Sequence, residues 1–194
     1  MRIVGGKLKG RQIITPPGRA TRPTSDRARE AMFNILAHAD WAPPLDSARV
    51  IDVFAGSGAL GLEAISRGAG FCVFIDMANA ARRAIKENID AMALSGVTRI
   101  HRRSAENLGD LPDSLSEPFT LAFLDPPYGK GLVTLALDRL VSGEWLSDDA
   151  IVIVEIGKDE EVELPGWNIE DERVYGAARL IFIRPSFDAS QPAL

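Results

Sequence analysis

A chain of 194 residues with 46% apolar and 25% charged positions is long enough for one α/β domain with an appendage. It is too short for a catalytic domain plus a full-sized recognition domain. No apolar run approaches the length that spans a bilayer, and the start Met1-Arg-Ile-Val-Gly-Gly-Lys7 holds no signal-peptide core, so the cytoplasm is the expected location. The net charge of −5 is unevenly spread. Up to Arg29 there are eight basic residues (Arg2, Lys7, Lys9, Arg11, Arg19, Arg22, Arg27, Arg29) against Asp26 alone, a net of +7; the fourteen basic and twenty-six acidic residues beyond give −12. A dense basic arm on an acidic body fits a polyanion gripped at one place, since phosphate attraction is local under physiological screening; the plainer reading is a solvated basic hairpin. The single Cys72 lies inside the apolar run Phe71–Ile75 and reads as a packed, inert thiol, while His38 and His101 stand alone with no metal-ligand spacing. No metal is expected.

Taken in order, Arg2-Ile-Val4 and Arg11-Gln-Ile-Ile-Thr15 flank a glycine-rich turn and read as a small hairpin ended by Pro16-Pro17-Gly18. Arg19 to Pro23 forms an extended basic linker. Thr24 is placed to cap a helix with Asp26 in its first turn and Ala28, Met32, Ile35, Leu36 and Ala39 on one face, ending before Pro43-Pro44. Arg49 to Gly61 is a strand running through Phe54, Ala55, Gly56, Ser57 and Gly58 into a helix that continues from Leu62 to Arg67. The G-x-G-x-x-G spacing brings a dinucleotide site into consideration, since glycine permits close backbone approach and the helix N-terminus offers unpaired N–H groups. Asp52 and the lack of Arg or Lys in the loop point elsewhere. An acid there repels a pyrophosphate but suits the ammonium of S-adenosylmethionine, directly or through water.

Phe71 to Asp76 is the second strand, and its terminal Asp76 is placed to accept from ribose hydroxyls of either cofactor. Asn79 to Leu94 reads as a helix with Ala81, Ile85, Ile89 and Met92 on one side, closed by Gly96. Thr98 to Arg102 is a short strand, with Ser104-Ala105-Glu106 following at the crevice. Phe119 to Leu124 is a buried strand that runs straight into Asp125-Pro126-Pro127-Tyr128. Two prolines stiffen that turn and remove two N–H donors, leaving a cage of acceptors. The Asp125 carboxylate and the Pro126 carbonyl can each accept from one N–H of a planar amine, with Tyr128 stacking on its ring; the bland alternative is that Asp125 caps the next helix and the prolines end the strand. Lys130 to Val141 then reads as a helix, Ala150 to Ile156 as a fifth strand, and Glu172–Tyr175 with Ala178–Arg184 as a closing hairpin turning at Gly176. The alternation implies a doubly wound parallel sheet with an antiparallel addition. From Ser186 the polar tail is expected to be disordered.

Asp52 to Gly61 together with Asp125 to Tyr128 resembles the class I S-adenosylmethionine-dependent methyltransferases. The opening Arg2-Ile-Val-Gly-Gly6, the segment Arg22-Pro-Thr-Ser-Asp26-Arg27-Ala-Arg29-Glu30-Ala-Met-Phe33-Asn34 and the run Asp52 to Ala64 are similar to the RsmD family of 16S ribosomal RNA guanine-N2 methyltransferases, over nearly the whole chain. The resemblance implies a Rossmann-like α/β fold with a seven-stranded, mostly parallel sheet and helices on both faces, plus a small N-terminal hairpin and helix. It divides the chain into an RNA-contacting extension (1–40), the methyltransferase domain (41–185) and a tail (186–194). It further implies S-adenosyl-L-methionine held by Asp52, Phe54 to Gly58, Asp76, Met77, Ser104, Ala105 and Asp125; catalysis by Asp125 to Tyr128; and RNA contact by Lys7, Lys9, Arg11, Arg19, Arg22, Arg27 and Arg29. The expected partner is 16S rRNA in the assembled 30S subunit, methylated at guanine 966 by a monomer. Tyr128 stands where many members have phenylalanine, Asp76 where glutamate is common, and Ser104 where a longer polar residue is frequent. Adenine-N6 or glutamine-N5 methylation, which use similar turns, and a non-catalytic RNA-binding module are the competing readings.

Overall fold

The computed structural model describes residues 1–17 and 25–186. Arg19, Arg22 and Thr24, and the tail beyond Ser186, lie outside the described residues. Seven strands form one sheet in the order β3-β2-β1-β4-β5-β7-β6. They are β1 (Arg49–Val53), β2 (Phe71–Ile75), β3 (Thr98–His101), β4 (Phe119–Leu124), β5 (Leu146–Gly157), β6 (Trp167–Tyr175) and β7 (Ala178–Pro185). The first five are parallel, and β7 lies antiparallel between β5 and β6. The helices are α1 (Asp26–His38), α2 (Ala59–Ser66), α3 (Asn79–Ala91) and α4 (Leu132–Ser142).

The central strands are near-continuous apolar runs because both of their faces are covered. Alternate residues feed two cores. Val50, Cys72, Phe74, Leu121 and Phe123 pack with Met32 and Phe33 of α1, Leu62 of α2 and Ile85 of α3. Ile51, Val73, Ala122 and Val152 pack with Val133, Leu137 and Leu140 of α4 and with Trp145 on the opposite face. Each fully buried Leu, Ile or Phe contributes about 1.5–3 kcal/mol relative to exposure.

α1 is capped by Ser25, whose hydroxyl accepts from Ala28 N at 3.1 Å. Ala28, Met32 and Leu36 lie on the buried face as expected, but the stripe is rotated to include Arg29 and Phe33, leaving Ile35 and Ala39 half-buried. Phe33 reaches the Phe123 ring at 5.6 Å between centroids, which sets that rotation. α3 ends before Gly96, because Ala93 takes the left-handed position (φ 57°) that stops it.

The expected N-terminal hairpin forms and is also tied to the body. Arg2 bridges Gln12 in antiparallel fashion around a 3₁₀ turn at Gly6–Leu8, and Ile3 N donates to Arg11 O, Gly10 N to Ile3 O and Ile13 N to Met1 O, each at 2.9 Å. Other donors of the arm reach α2. Val4 N and Gly5 N donate to the Glu63 carboxylate of α2 at 2.8 and 2.7 Å, and Leu8 N donates to Ser66 Oγ at 2.9 Å. The arm is thus both paired with itself and fastened to the body.

Candidate active site

Strand register builds the site. Val53 of β1 is paired with both Ile75 of β2 and Leu124 of β4, so Phe54, Asp76 and Asp125 leave the sheet side by side at the carboxyl ends of three adjacent strands. Ile75 is also paired with His101, which sends the Ser104 segment out at the same edge. Chain connections turn in opposite directions on either side of β1, and in open α/β sheets the ligand crevice lies at such a switch point.

The loop after β1 is held in an uncommon backbone shape. Phe54 sits at φ 64°, a strained value for an aromatic residue, and Gly56 and Gly58 take φ 56° and 77°. Its conformation is fixed from several sides: Ala55 N donates to Ile75 O at 3.1 Å, Gly58 N to Ala55 O at 2.6 Å, and Gly56 N to Asp76 Oδ2 at 2.9 Å. Asp76 Oδ1 accepts from Ala78 N at 2.7 Å, so one carboxylate ties the ends of β1 and β2 together. Gly61 is needed for packing rather than for ligand approach, since a Cβ there would lie 2.4 Å from Phe74 and 2.5 Å from Cys72 Sγ. Met77 is exposed beside Asp76, Ala105 is buried, and Ser104 is bridged to Asn107.

Asp52 lies beneath the loop, where its carboxyl is buried and accepts from Gly61 N at 2.9 Å. Burial, opposed by that hydrogen bond and reinforced by the charge of Asp76, pushes its pKa up to about 8. Burial likewise pushes the Cys72 thiol up, in keeping with an inert packed cysteine.

At the β4 end Asp125 is half-buried and Pro126 buried, while Pro127 and Tyr128 are exposed. The turn is pinned onto β5 and the segment after it: the Tyr128 hydroxyl donates to Glu155 Oε1 at 3.1 Å, and Gly129 N donates to Glu160 Oε1 at 3.0 Å. Tyr128, Glu155, Ser25, Arg27, Ala28 and the β6–β7 turn line a cavity of about 430 Å³. Sequence reasoning passed over Glu155, although a lone acid in Ile151-Val-Ile-Val-Glu155-Ile is a detectable signal.

The basic arm divides in two. Lys7, Lys9, Arg11 and Arg27 are exposed, and Arg11 donates to Ala91 O. Arg29, expected to contact RNA, is instead fully buried: its Nη2 donates to Arg2 O at 2.6 Å and Asp26 Oδ1 at 2.9 Å, and its Nε lies 3.7 Å from Glu63 Oε2. It anchors the arm and has no surface to offer a phosphate. Glu63 and Asn88 are the residues missed here. Asn88 Nδ2 donates to Ser57 O at 3.1 Å and to Ile14 O at 2.9 Å, joining the cofactor-type loop to the arm. Both interrupt apolar helix faces, which is the trace they leave in the sequence.

Among the described residues no cluster of His, Cys, Asp and Glu can hold a metal, and no helix is long and apolar enough to cross a membrane. The loop carries no cation for a pyrophosphate, whereas carboxylates and carbonyls dominate the strand ends. That set fits a ligand with hydroxyls and a neutral or cationic end.

Comparison with known proteins agrees. The family model described as conserved hypothetical protein 95 matches residues 1–184. Ribosomal RNA small subunit methyltransferase D of Escherichia coli K12 is 34% identical over 180 residues, covering 91% of this chain and 85% of that protein. Its namesake in Haemophilus influenzae is 31% identical over 178 residues, covering 91% and 89%. A solved structure of the Escherichia coli protein yhhF, named as a methyltransferase, superposes with a TM-score of 0.76 at 32% identity, covering 95% of this chain and 97% of that one. With a seven-stranded sheet of this order, a strand-end crevice of this makeup and a family match over almost its whole length, the chain belongs to the RsmD family of methyltransferases.

Proposed function

We propose that the protein transfers a methyl group from S-adenosyl-L-methionine to the exocyclic N2 of a guanine in small-subunit ribosomal RNA. By family resemblance the target is guanine 966 of 16S rRNA in the assembled 30S subunit, reached by a cytoplasmic monomer. The observation that carries this reading is the register that brings the Asp125-Pro126-Pro127-Tyr128 turn beside the Phe54–Gly58 loop and Asp76.

The donor supplies an electrophilic sulfonium methyl that needs orientation and desolvation more than activation. Phe54, Ala55, Gly56, Ser57 and Gly58 would cradle it, Asp76 and Met77 would face its ribose, Ser104 and Ala105 its adenine, and Asp125 would border its reactive end. Asp52 supports this cradle from below through Gly61 N. On the acceptor side, the Asp125 carboxylate and the Pro126 carbonyl take one N–H each from the guanine amine. This favours the pyramidal nitrogen whose lone pair attacks, while Tyr128 stacks on the flipped base. The amine gives up its proton during or after transfer, with Asp125 or solvent as acceptor. Residues 1–40 form the RNA-contacting extension of a catalytic domain spanning 41–185, with Lys7, Lys9, Arg11 and Arg27 facing phosphates.

The test is Asp125→Ala. Labelled-donor binding should stay within about threefold while turnover falls about a hundredfold or more, the effect of deleting an orienting group. Near-normal turnover would remove Asp125 from the mechanism, and methylation found on adenine would move the reading to an N6 enzyme.

A further inference from the structure

Beyond the basic arm, the fourteen cations of the body are not spent alike. Arg67, Lys86, Lys158, Arg173, Arg179 and Arg184 each sit in an ion pair with a carboxylate. Of the remaining eight, five fall between Arg82 and Arg103, on α3, the edge strand β3 and the two residues after it, and none of the five forms an ion pair among the described residues. Arg82 turns inward, its Nη1 donating to Met77 O at 2.6 Å and to Asp76 O at 3.1 Å. Arg83, Arg99, Arg102 and Arg103 charge one margin of an otherwise acidic body.

Backbone alternation orders this margin, because residues two apart on a strand share a face. Arg99 lies over the Phe71 ring at 5.9 Å, with its Nη1 donating to Thr98 O at 2.8 Å. Arg103 lies over the Trp145 ring at 5.5 Å, and its Nη1 donates to Leu108 O. Rings and carbonyls hold these side chains in place without cancelling their charge as a carboxylate would. Arg49 brings a second guanidinium to the same Phe71 ring, at 5.0 Å. The half-buried His101 registers the result: burial, and then the charges of Arg103 and Arg99, hold its pKa below the ordinary value. Arg83 and Arg102 are exposed, and neither side chain is hydrogen-bonded or ion-paired among the described residues.

The margin borders the crevice. Ile75 is paired with His101, and Asp76 N donates to His101 O at 3.3 Å, so Arg102 and Arg103 leave the sheet next to Asp76. The basic arm meets α3 at its far end, where Arg11 donates to Ala91 O. Residues beyond Arg29 carry a net charge of −12, which repels a polyanion, and screening confines attraction to about 8–10 Å, so RNA is held only where cations are concentrated and unneutralised. Guanidinium groups match phosphate oxygens in a two-pronged geometry that ammonium groups lack. We propose that Arg83, Arg99, Arg102 and Arg103 form a second phosphate-gripping surface, which holds the backbone of the substrate ribosomal RNA at the β3 margin while the arm holds it elsewhere. The inference rests on the ribosomal-RNA reading above and adds to it a contact made by the catalytic body.

The test measures binding of the full-length protein to naked 16S rRNA and to small subunits over a range of salt. Arg83→Gln/Arg99→Gln/Arg102→Gln should lower the slope of log K against log salt by about two to three on both, at about 0.7–0.9 per lost phosphate contact. Binding at low salt should weaken by at least about tenfold, with labelled S-adenosylmethionine binding and melting temperature unchanged. Arg173→Gln, on the opposite edge strand β6 and paired with Asp171, should keep the wild-type slope. If losing Arg99 from the Phe71 ring destabilises the triple variant, Arg83→Gln/Arg102→Gln carries the test with a slope change of about 1.5. A wild-type slope in the folded variants would overturn the assignment. So would a loss seen on small subunits and not on naked 16S rRNA, which would place a protein of the subunit on this face. A wild type that neither binds nor methylates ribosomal RNA would instead overturn the functional reading beneath it.

Discussion

Glu63 and Asp125 are both acids at the heart of their regions, and their surroundings give them opposite roles. Glu63 is wholly buried and collects donors, with Val4 N, Gly5 N and Arg67 Nε at 2.7–2.8 Å and Arg29 beyond them, so its charge is spent on fastening the arm to α2. Asp125 is half-buried in the turn after β4, beside two prolines that carry no N–H. One acid is held inside as an anchor, and the other stands in the turn where the chemistry is proposed. The same contrast separates Arg27 from Arg29, two positions apart on one helix: the first is exposed at the cavity, the second is locked inside.

The largest expected effect comes from breaking the anchor. Glu63→Ala takes from the buried Arg29 one of its two carboxylate partners and leaves two backbone N–H groups without their acceptor, and should destabilise the protein by about 3–5 kcal/mol in denaturant unfolding. A loss below about 1 kcal/mol, the size of an exposed pair, would mean that the arm is held some other way. Next is the pH dependence written by Asp52. Its folded pKa of about 8 lies above the ordinary 3.8, so the native state keeps a proton that the unfolded chain gives up. The stability it contributes is complete below pH 3.8 and is lost as the pH rises to about 8. Asp52→Asn, which keeps an acceptor for Gly61 N, should flatten the melting temperature across that window; an unchanged slope would assign the dependence to other groups.

The smallest effect sharpens the Arg27 and Arg29 pair. Arg27→Ala should weaken binding to small subunits and reduce the slope of log K against log salt by about one, leaving melting unchanged. Arg29→Ala should lower the melting temperature instead. A matching loss of salt slope in a folded Arg29→Ala would contradict its place in the interior.

What the sequence made legible follows from locality. Strands covered on both faces are continuous apolar runs, so β1, β2, β4 and the core of β5 stand out, and the glycine loop and Asp125-Pro126-Pro127-Tyr128 are contiguous motifs whose position at strand ends needs no long-range knowledge. Burial of polar groups was less readable. Arg29 belongs to a basic run and reads as surface until Glu63, brought close only by the packing of α1 on α2, is seen to neutralise it. Asp52 reads as a ligand group because strand direction locates it near the loop, while its hydrogen bond to Gly61 depends on how α2 folds back. The fastening of the hairpin to α2 through Val4 N and Leu8 N is a tertiary contact of the same kind. Local pattern marks where chemistry can occur, and tertiary contact decides which charges take part.

The most direct test of the central claim is methyl incorporation from labelled S-adenosylmethionine into small ribosomal subunits, naked 16S rRNA and duplex DNA in parallel, with the modified nucleoside identified by mass spectrometry. The expected result is N2-methylguanine in the subunits, absent when Asp125→Ala replaces the wild type. Label in adenine, in DNA alone, or in no nucleic acid at all would contradict it.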